Sequence, residues 1–279
     1  SARVQYFALM ALADLQGSQA GAGGSRPSSP AGPVSATSPT STNAQAVDQT
    51  VTRAIELLAT NDNQDPALRH AATRGLTRIA SADRLANLAD HPDVSVRRAA
   101  VAALRGQRSG SVTRFLEDAD PIVIAEAALA IYDAPIPVGM DDLAGMIRRT
   151  AWPRGQDDLV RRVLAANYRL GTDDAAAALA NFAASDLSPS WARVEALDSL
   201  LDWTSTDPRD RVTNELRSPT QQRRAGDAVQ AVSRRIDELL LATEEVREKA
   251  IDVASQMKIA KIAPQLVQRI ENEQGRPTS

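Results

Sequence analysis

Two histidines, three aspartate pairs and five arginine pairs are the side chains whose types and spacing offer chemistry. His70 and His91 are the only histidines, and neither is followed by glutamate. His91 precedes Pro92 at the start of a helical pattern, where its expected role is at the helix end rather than on a metal. Asp141/Asp142, Asp157/Asp158 and Asp173/Asp174 have the composition of a metal or acid–base site. Each pair opens a predicted helix, where carboxylates cap free N–H groups and favour the positive end of the dipole. Asp65-Pro66, Asp120-Pro121 and Asp207-Pro208 read the same way, as a cap followed by a first-turn proline. The sequence has no Gly-rich phosphate loop, no HExxH and no Ser/His/Asp arrangement with a plausible general base. No catalytic, cofactor-binding or metal-ligating residue is expected, and no cofactor.

The arginine pairs are Arg97/Arg98, Arg148/Arg149, Arg161/Arg162, Arg223/Arg224 and Arg234/Arg235. Such pairs can hold phosphates when a basic face is interleaved with aromatics for base stacking. Here 35 acidic residues outnumber 32 basic ones, and Trp152, Trp191 and Trp203 fall near helix ends rather than in a stripe. Nucleic acid is therefore not an expected partner. Measured against the repeating template below, Arg69, Arg97, Arg161, Arg193 and Arg247 occupy one shared position, which points to a structural duty.

That template is clearest from His91 to Leu104. Val96, Ala100, Ala103 and Leu104 stand at i, i+4, i+7 and i+8, one face of a helix. Two of the four are alanine, so a neighbouring helix can come close. Pro92 suits the first helical turn, and Asp93 the positive end of the dipole. Further copies run from Val4 to Leu12, from Asp65 to Leu76 and from Asp120 to Ile131, then around Val160–Tyr168, Ser188–Leu200 and Val246–Ala254. In the Asp120 copy Ile124 replaces the arginine, which predicts burial on an additional side. Each copy is followed by a shorter partner pattern, and the copies recur at roughly 27 to 37 residues with one longer interval before the last. After Trp203 the spacing lengthens, and Asp207-Pro208 reads as a turn into a short helix. Ala225, Val229, Val232, Ile236, Leu239 and Leu240 then form one apolar stripe.

Gly17 to Asn43 breaks the pattern with Gly, Ser, Pro, Ala and Thr, and cannot bury enough apolar surface to order itself. The expected organisation is a first repeat helix over 1–16, a flexible insertion over 17–45, a repeat region over 46–274 and a frayed tail over 275–279. Of the 279 residues 43% are hydrophobic, 24% charged and only 3% aromatic, a mix for close-packed helices rather than sandwiches or barrels. The net charge of −3 gives no general pull toward polyanions. Cysteine is absent, which excludes disulfides, thiolate metal sites and covalent c-type haem within these residues but does not fix a compartment. No apolar run reaches the roughly 18 residues that span a bilayer, so direct membrane insertion is not expected. The chain opens on Ser1 with helical periodicity at once, which reads as a segment of something longer.

Helix pairs that cannot bury their apolar faces alone and recur at a fixed period are the mark of an α-solenoid. The pattern of aspartate, apolar residue, arginine, alanine and closing leucine resembles the HEAT and HEAT-like (armadillo-type) repeat family. The resemblance implies an all-α solenoid of about seven helix pairs over nearly the whole chain. In such families the arginine position takes part in a ladder of polar contacts between repeats, which implies that role for Arg69, Arg97, Arg161, Arg193 and Arg247. Di-iron hydroxylases built on this repeat carry paired His-Glu motifs, and this chain has none. The implied function is a non-catalytic scaffold or protein-interaction module, its partner a protein or neighbouring domain.

A narrower resemblance rests on Val163-Leu164-Ala165-Ala166-Asn167-Tyr168-Arg169-Leu170-Gly171, Ala180-Asn181-Phe182, Arg193-Val194-Glu195-Ala196-Leu197, Asp202-Trp203 and Asp207-Pro208-Arg209-Asp210-Arg211-Val212. This order looks like the HEAT segment of large bacterial membrane-bound-dehydrogenase-type proteins. Those proteins place a sugar-dehydrogenase-like β-propeller before the repeats and a c-type cytochrome domain after them. It implies the alternative role of an extracytoplasmic, periplasmic spacer whose parent's active sites lie outside this chain.

The assigned register has a direct test. Leu104→Ala is expected to cost roughly 2–5 kcal/mol in denaturant unfolding, as for other buried leucines. An unchanged midpoint would mean that Leu104 does not face inward.

Overall fold

Three of the helices begin with the same device. Asp65 accepts hydrogen bonds from Ala67 N (2.8 Å) and Leu68 N (3.2 Å). Asp93 does so from Ser95 N and Val96 N, and Asp120 from Ile122 N and Val123 N. Each carboxylate satisfies two of the N–H groups that a helix start leaves orphaned. The helices so started are α2 (Pro66–Ile79), α4 (Val94–Gln107) and α5 (Pro121–Asp133). Pro66 and Pro121 occupy the first turn as expected. Pro92 does not: α4 starts at Val94 with Asp93 as its cap, so Pro92 lies just outside and lends its carbonyl to Arg97 (3.1 Å). His91 Nδ1 accepts from Asp93 N at 3.1 Å, a helix-start role.

The structure is a computed structural model that describes residues 10–11, 40–149, 151–152, 155–217, 222–264 and 267. The expected first helix over 1–16, apart from 10–11, lies outside the described residues, as do 17–39 of the insertion and the tail over 275–279. Among the described residues the fold is all-α, with no strand and a single isolated β-bridge between Arg209 and Leu216. The chain divides into two units, Ser1–Gly139 and Met140–Ser279.

In the first unit α1 (Thr40–Asn61) packs on α2, six residues of it upstream of the expected resumption at 46. Then α2 packs on α4, and α4 on α5. A second row of shorter elements runs beside them: α3 (Ala82–Ala86), and 3-10 segments at Asn87–Asp90, Gly110–Glu117 and Pro137–Gly139. Val96, Ala100, Ala103 and Leu104 are fully buried, as are Val123, Ala127 and Ile131. Ile124 is buried too, on the face where its counterparts carry arginine. Gly106 lets the end of α4 close on α2: a Cβ there would lie 2.6 Å from Thr77 Cγ2. Gln107 Nε2 uses that approach to reach the carbonyls of Thr77 (3.0 Å) and Ala80 (2.8 Å).

The second unit repeats the two-row packing. One row holds α7 (Asp157–Leu170), α9 (Ser190–Leu201) and α11 (Glu244–Gln256), each in contact with the next. The other holds α6 (Met140–Gly145) and the 3-10 segment Met146–Arg148, then α8 (Asp173–Ala184) and α10 (Ala225–Leu240). Ala192, Ala196, Ser199 and Leu200 of α9, and Val246, Ala250, Val253 and Ala254 of α11, are the buried inner faces that the periodicity predicts. Gly171 ends α7 in the left-handed region at φ +63°, where glycine carries no side-chain penalty.

The aspartate pairs need a correction. Asp141/Asp142, Asp157/Asp158 and Asp173/Asp174 lie within the first turns of α6, α7 and α8, not at the cap positions. The cap of α8 is Thr172, whose Oγ1 accepts from Ala175 N at 3.1 Å. The pairs act on the dipole instead, a weaker effect. Asp207-Pro208 opens no helix: Asp207 accepts from Arg209 N at 2.9 Å in a tight turn, and the segment stays irregular to Arg217. The distinction is measurable. Asp120→Ala is expected to cost about 1 kcal/mol through its lost cap. Asp158→Ala should stay within about 0.5 kcal/mol, and equal costs in chemical denaturation would contradict this division.

Candidate functional site

The five arginines of the shared position do different work. Arg97 is the most engaged. Its Nε and Nη2 pair bidentately with Asp118 Oδ2 (2.8 Å) and Oδ1 (3.1 Å), and its Nη1 reaches the carbonyls of His91 (2.9 Å) and Pro92 (3.1 Å). Asp118 also accepts from Asp120 N, so one guanidinium ties the turn before α4 to the turn before α5. Arg161 reaches from α7 to Glu195 of α9 at 3.3 Å and stacks over Trp191 at 5.0 Å. Arg193, 3% exposed, donates to Ala183 O (2.7 Å) and Ala184 O (3.5 Å), the carbonyl end of α8. A cation there meets the negative end of the helix dipole. Burial pushes the Arg193 guanidinium below its ordinary pKa, with Asp186 opposing. Arg69 contacts Asn63 (3.5 Å) and Arg247 contacts Ala242 O (3.4 Å), both in the turn before their own helix.

Further polar ties cross between neighbouring elements. In the first row Arg98 of α4 binds Glu126 of α5 at 2.6 Å, and that hydrogen bond raises its pKa above the ordinary value. Lys249 of α11 binds Asp198 of α9 at 2.6 Å. In the second row the cation sits on the later element and reaches back. Arg84 of α3 reaches back to Asp48 and Thr52 of α1, and within the second row Arg114 meets Asp90 (2.6 Å) and Asn87 (3.1 Å). In the second unit Arg235 meets Asn181 (2.6 Å), and Lys261 meets Asp237 (2.6 Å). Of these cations only Arg235, in the pair Arg234/Arg235, was singled out in the sequence. Their signal is one cation per partner element, as at Arg84 and Arg114, read against acceptors one element earlier.

The long connection between α9 and α10 is held by a separate cluster. Asp210, 7% exposed, accepts from Val212 N and Thr213 N (2.9 Å each) and from Arg169 Nη1 at 3.2 Å. The Tyr168 ring lies 3.9 Å from the Arg223 guanidinium and 4.9 Å from that of Arg211, and meets the buried Trp203 edge-on at 6.0 Å. Tyr168 Oη donates to Asp202 O at 2.9 Å, and Arg211 pairs with the Asp202 carboxylate. Cation–π contacts of this kind contribute about 0.5–2 kcal/mol each. Six of the positions behind the narrower resemblance, Tyr168, Arg169, Asp202, Trp203, Asp210 and Arg211, thus meet in one place.

An open groove of about 470 Å³ runs along α8. Asp174, Ala177, Ala178, Asn181 and Ser185 line it, at i, i+3, i+4, i+7 and i+11 of one helix face. Ile147, Arg148 and Arg149 line it from the preceding second-row element, and Leu187 and Ser188 from the following turn. Ala177 and Ala178 are half-buried and small, which opens the groove; Phe182 beneath is 4% exposed and packs edge-on against Trp152 at 6.0 Å. Leu187 is 63% exposed. The volume falls within the range of ligand and peptide sites. A second groove, of about 310 Å³, follows His70, Thr73, Arg74, Thr77 and Arg78 along α2. Among the described residues no cluster of three or more His, Cys, Asp or Glu could hold a metal, and no helix is long and apolar enough to cross a membrane.

The arginines are not equivalent energetically, because exposed pairs contribute at most about 1 kcal/mol while a buried charge left alone costs several. Arg97→Ala strands Asp118, whose side chain is 3% exposed, and is expected to cost about 3 kcal/mol. Arg161→Ala, at a side chain 49% exposed, should cost under about 1 kcal/mol. Thermal or denaturant unfolding of both variants gives the comparison, and the reverse order would contradict it.

No protein-family model and no curated protein matches this chain. The solved structure of an engineered protein is similar at 17% identity and a TM-score of 0.27, over 78% of this chain and 71% of that one. A likeness that shallow identifies no fold.

Proposed function

We propose that the chain is a HEAT-like α-solenoid of about seven helix pairs that serves as a non-catalytic scaffold or protein-interaction module. Support for the solenoid comes from the packing within each unit, where the helices and 3-10 segments fall into two rows. Support for the interaction role rests on one observation, the groove along α8 with its alanine floor and the exposed Leu187 at its edge. Most conspicuous charged side chains elsewhere are engaged in ties between helices, so their chemistry is structural. The shape suits a short extended segment of another protein, whose apolar side chain would displace water from Phe182 and Leu187.

A second reading, the spacer of a larger extracytoplasmic redox protein, draws on the meeting of Tyr168, Trp203, Asp210 and their neighbours in one cluster. The coding sequence on either side separates it. A β-propeller upstream with Cys-x-x-Cys-His downstream favours the spacer.

The interaction role is tested by selecting peptides from a random displayed library on the full chain and on Ala178→Arg, which fills the groove. Enriched peptides that bind the parent and lose at least about tenfold in affinity on Ala178→Arg, with the melting temperature unchanged, are expected. Absence of binding peptides, or equal binding to both proteins, would overturn the reading.

A further inference from the structure

Arg223 is held by neutral groups alone. Its Nη1 donates to Tyr168 O (3.3 Å) and its Nη2 to Ser205 O (3.2 Å). Its guanidinium lies 3.9 Å from the centre of the Tyr168 ring and 5.8 Å from that of Trp203. Two carbonyls and two rings make a recess suited to a planar cation. Among the described residues no carboxylate pairs with Arg223, whereas Arg97, Arg98, Arg161 and Arg211 each have one. A guanidinium without a carboxylate is held less tightly than one in a charge-assisted pair. Trp203 is 1% exposed, and its indole N–H is buried with no hydrogen-bond acceptor. Such a donor is a standing cost of the closed arrangement, relieved when water reaches it. The helix start beside Arg223 is weakly held as well. The cap residue of α10, Arg224, makes no side-chain bond to the first turn, where Ala225 and Gly226 are exposed. An uncapped turn that contains glycine is the part of a helix that opens most readily.

We infer that Arg223 is a latch that releases. The first turn of α10 unwinds, the guanidinium leaves its recess, and one side of the Trp203 ring opens to solvent. The recess is a site for a guanidinium group, and in the closed chain Arg223 fills it. An arginine side chain of another protein therefore finds the site only when the latch is open. The neighbouring Asp210–Arg169 pair, its carboxylate 1% exposed, is the permanent tie of the same region and stays closed throughout. None of this depends on the groove along α8.

The experiment follows exchange of the Trp203 indole N–H with solvent by NMR in the full chain, in Arg223→Ala and in Gly226→Ala. Arg223→Ala is expected to speed it about tenfold or more, with the amides of buried Leu179 and Leu197 unchanged. Millimolar guanidinium chloride should slow it again in Arg223→Ala, and ammonium chloride at the same concentration should not. A Cβ at Gly226 meets nothing within 4 Å, so Gly226→Ala stiffens the first turn without a clash. It should slow the exchange about threefold to fivefold. Exchange left unchanged by either substitution, or raised equally at Leu179 and Leu197, would overturn the latch. No slowing by guanidinium, or equal slowing by ammonium, would overturn the guanidinium site.

Discussion

Close approach over alanine is the constraint on which the rest of this structure depends. Helices of 12 to 14 residues, such as α9 and α4, are marginal on their own. Their inner faces are poor in large side chains: Ala99, Ala100 and Ala103 on α4, Ala127 and Ala128 on α5, Ala192 and Ala196 on α9. An alanine face buries little area per residue, so it stabilises only when the neighbouring backbone comes close enough for dense packing. Larger side chains, such as Val96, Val101 and Leu104 of α4, then fill the remaining space. Each element therefore needs the next, and the two-row packing within each unit follows from that need.

Close packing of narrow helices leaves the polar groups at their ends crowded, and the charged residues answer this. Where a turn is buried, the tie is strong and specific, as in the bidentate pair of Arg97 and Asp118 or the cap of Arg193 on α8. Where the tie is exposed, as at Arg114–Asp90 or Lys261–Asp237, it contributes little energy and acts on register instead. The second-row ties share a direction, cation on the later element and acceptor on the earlier. A single polarity along the row disfavours a neighbour docked in the reverse order.

The helical faces were legible in the sequence because a buried face repeats every 3.6 residues whatever covers it. Asp65 and Asp120 as caps were legible for the same local reason. Asp207-Pro208 misled, since its dipeptide matches theirs. What differs is Asp210, whose carboxylate captures the following N–H groups and Arg169 and so settles that segment as a tight loop. The distant partner of Arg97 could be placed by type but not by identity, because Asp118 lies in another turn. The groove left no trace at all. Ala177 and Ala178 resemble core alanines in sequence, and only the placement of Ile147–Arg149 and Leu187 around them makes a surface.

We propose that this surface along α8 takes a segment of another protein. Methyl resonances of Ala177 and Ala178, followed by NMR during titration with a peptide selected on the full chain, report on it directly. Saturable shifts of these two methyls, with those of buried Ala100 and Ala103 unmoved, are the predicted result. Saturable binding that leaves Ala177 and Ala178 unshifted, with changes confined to residues along α2, would contradict it.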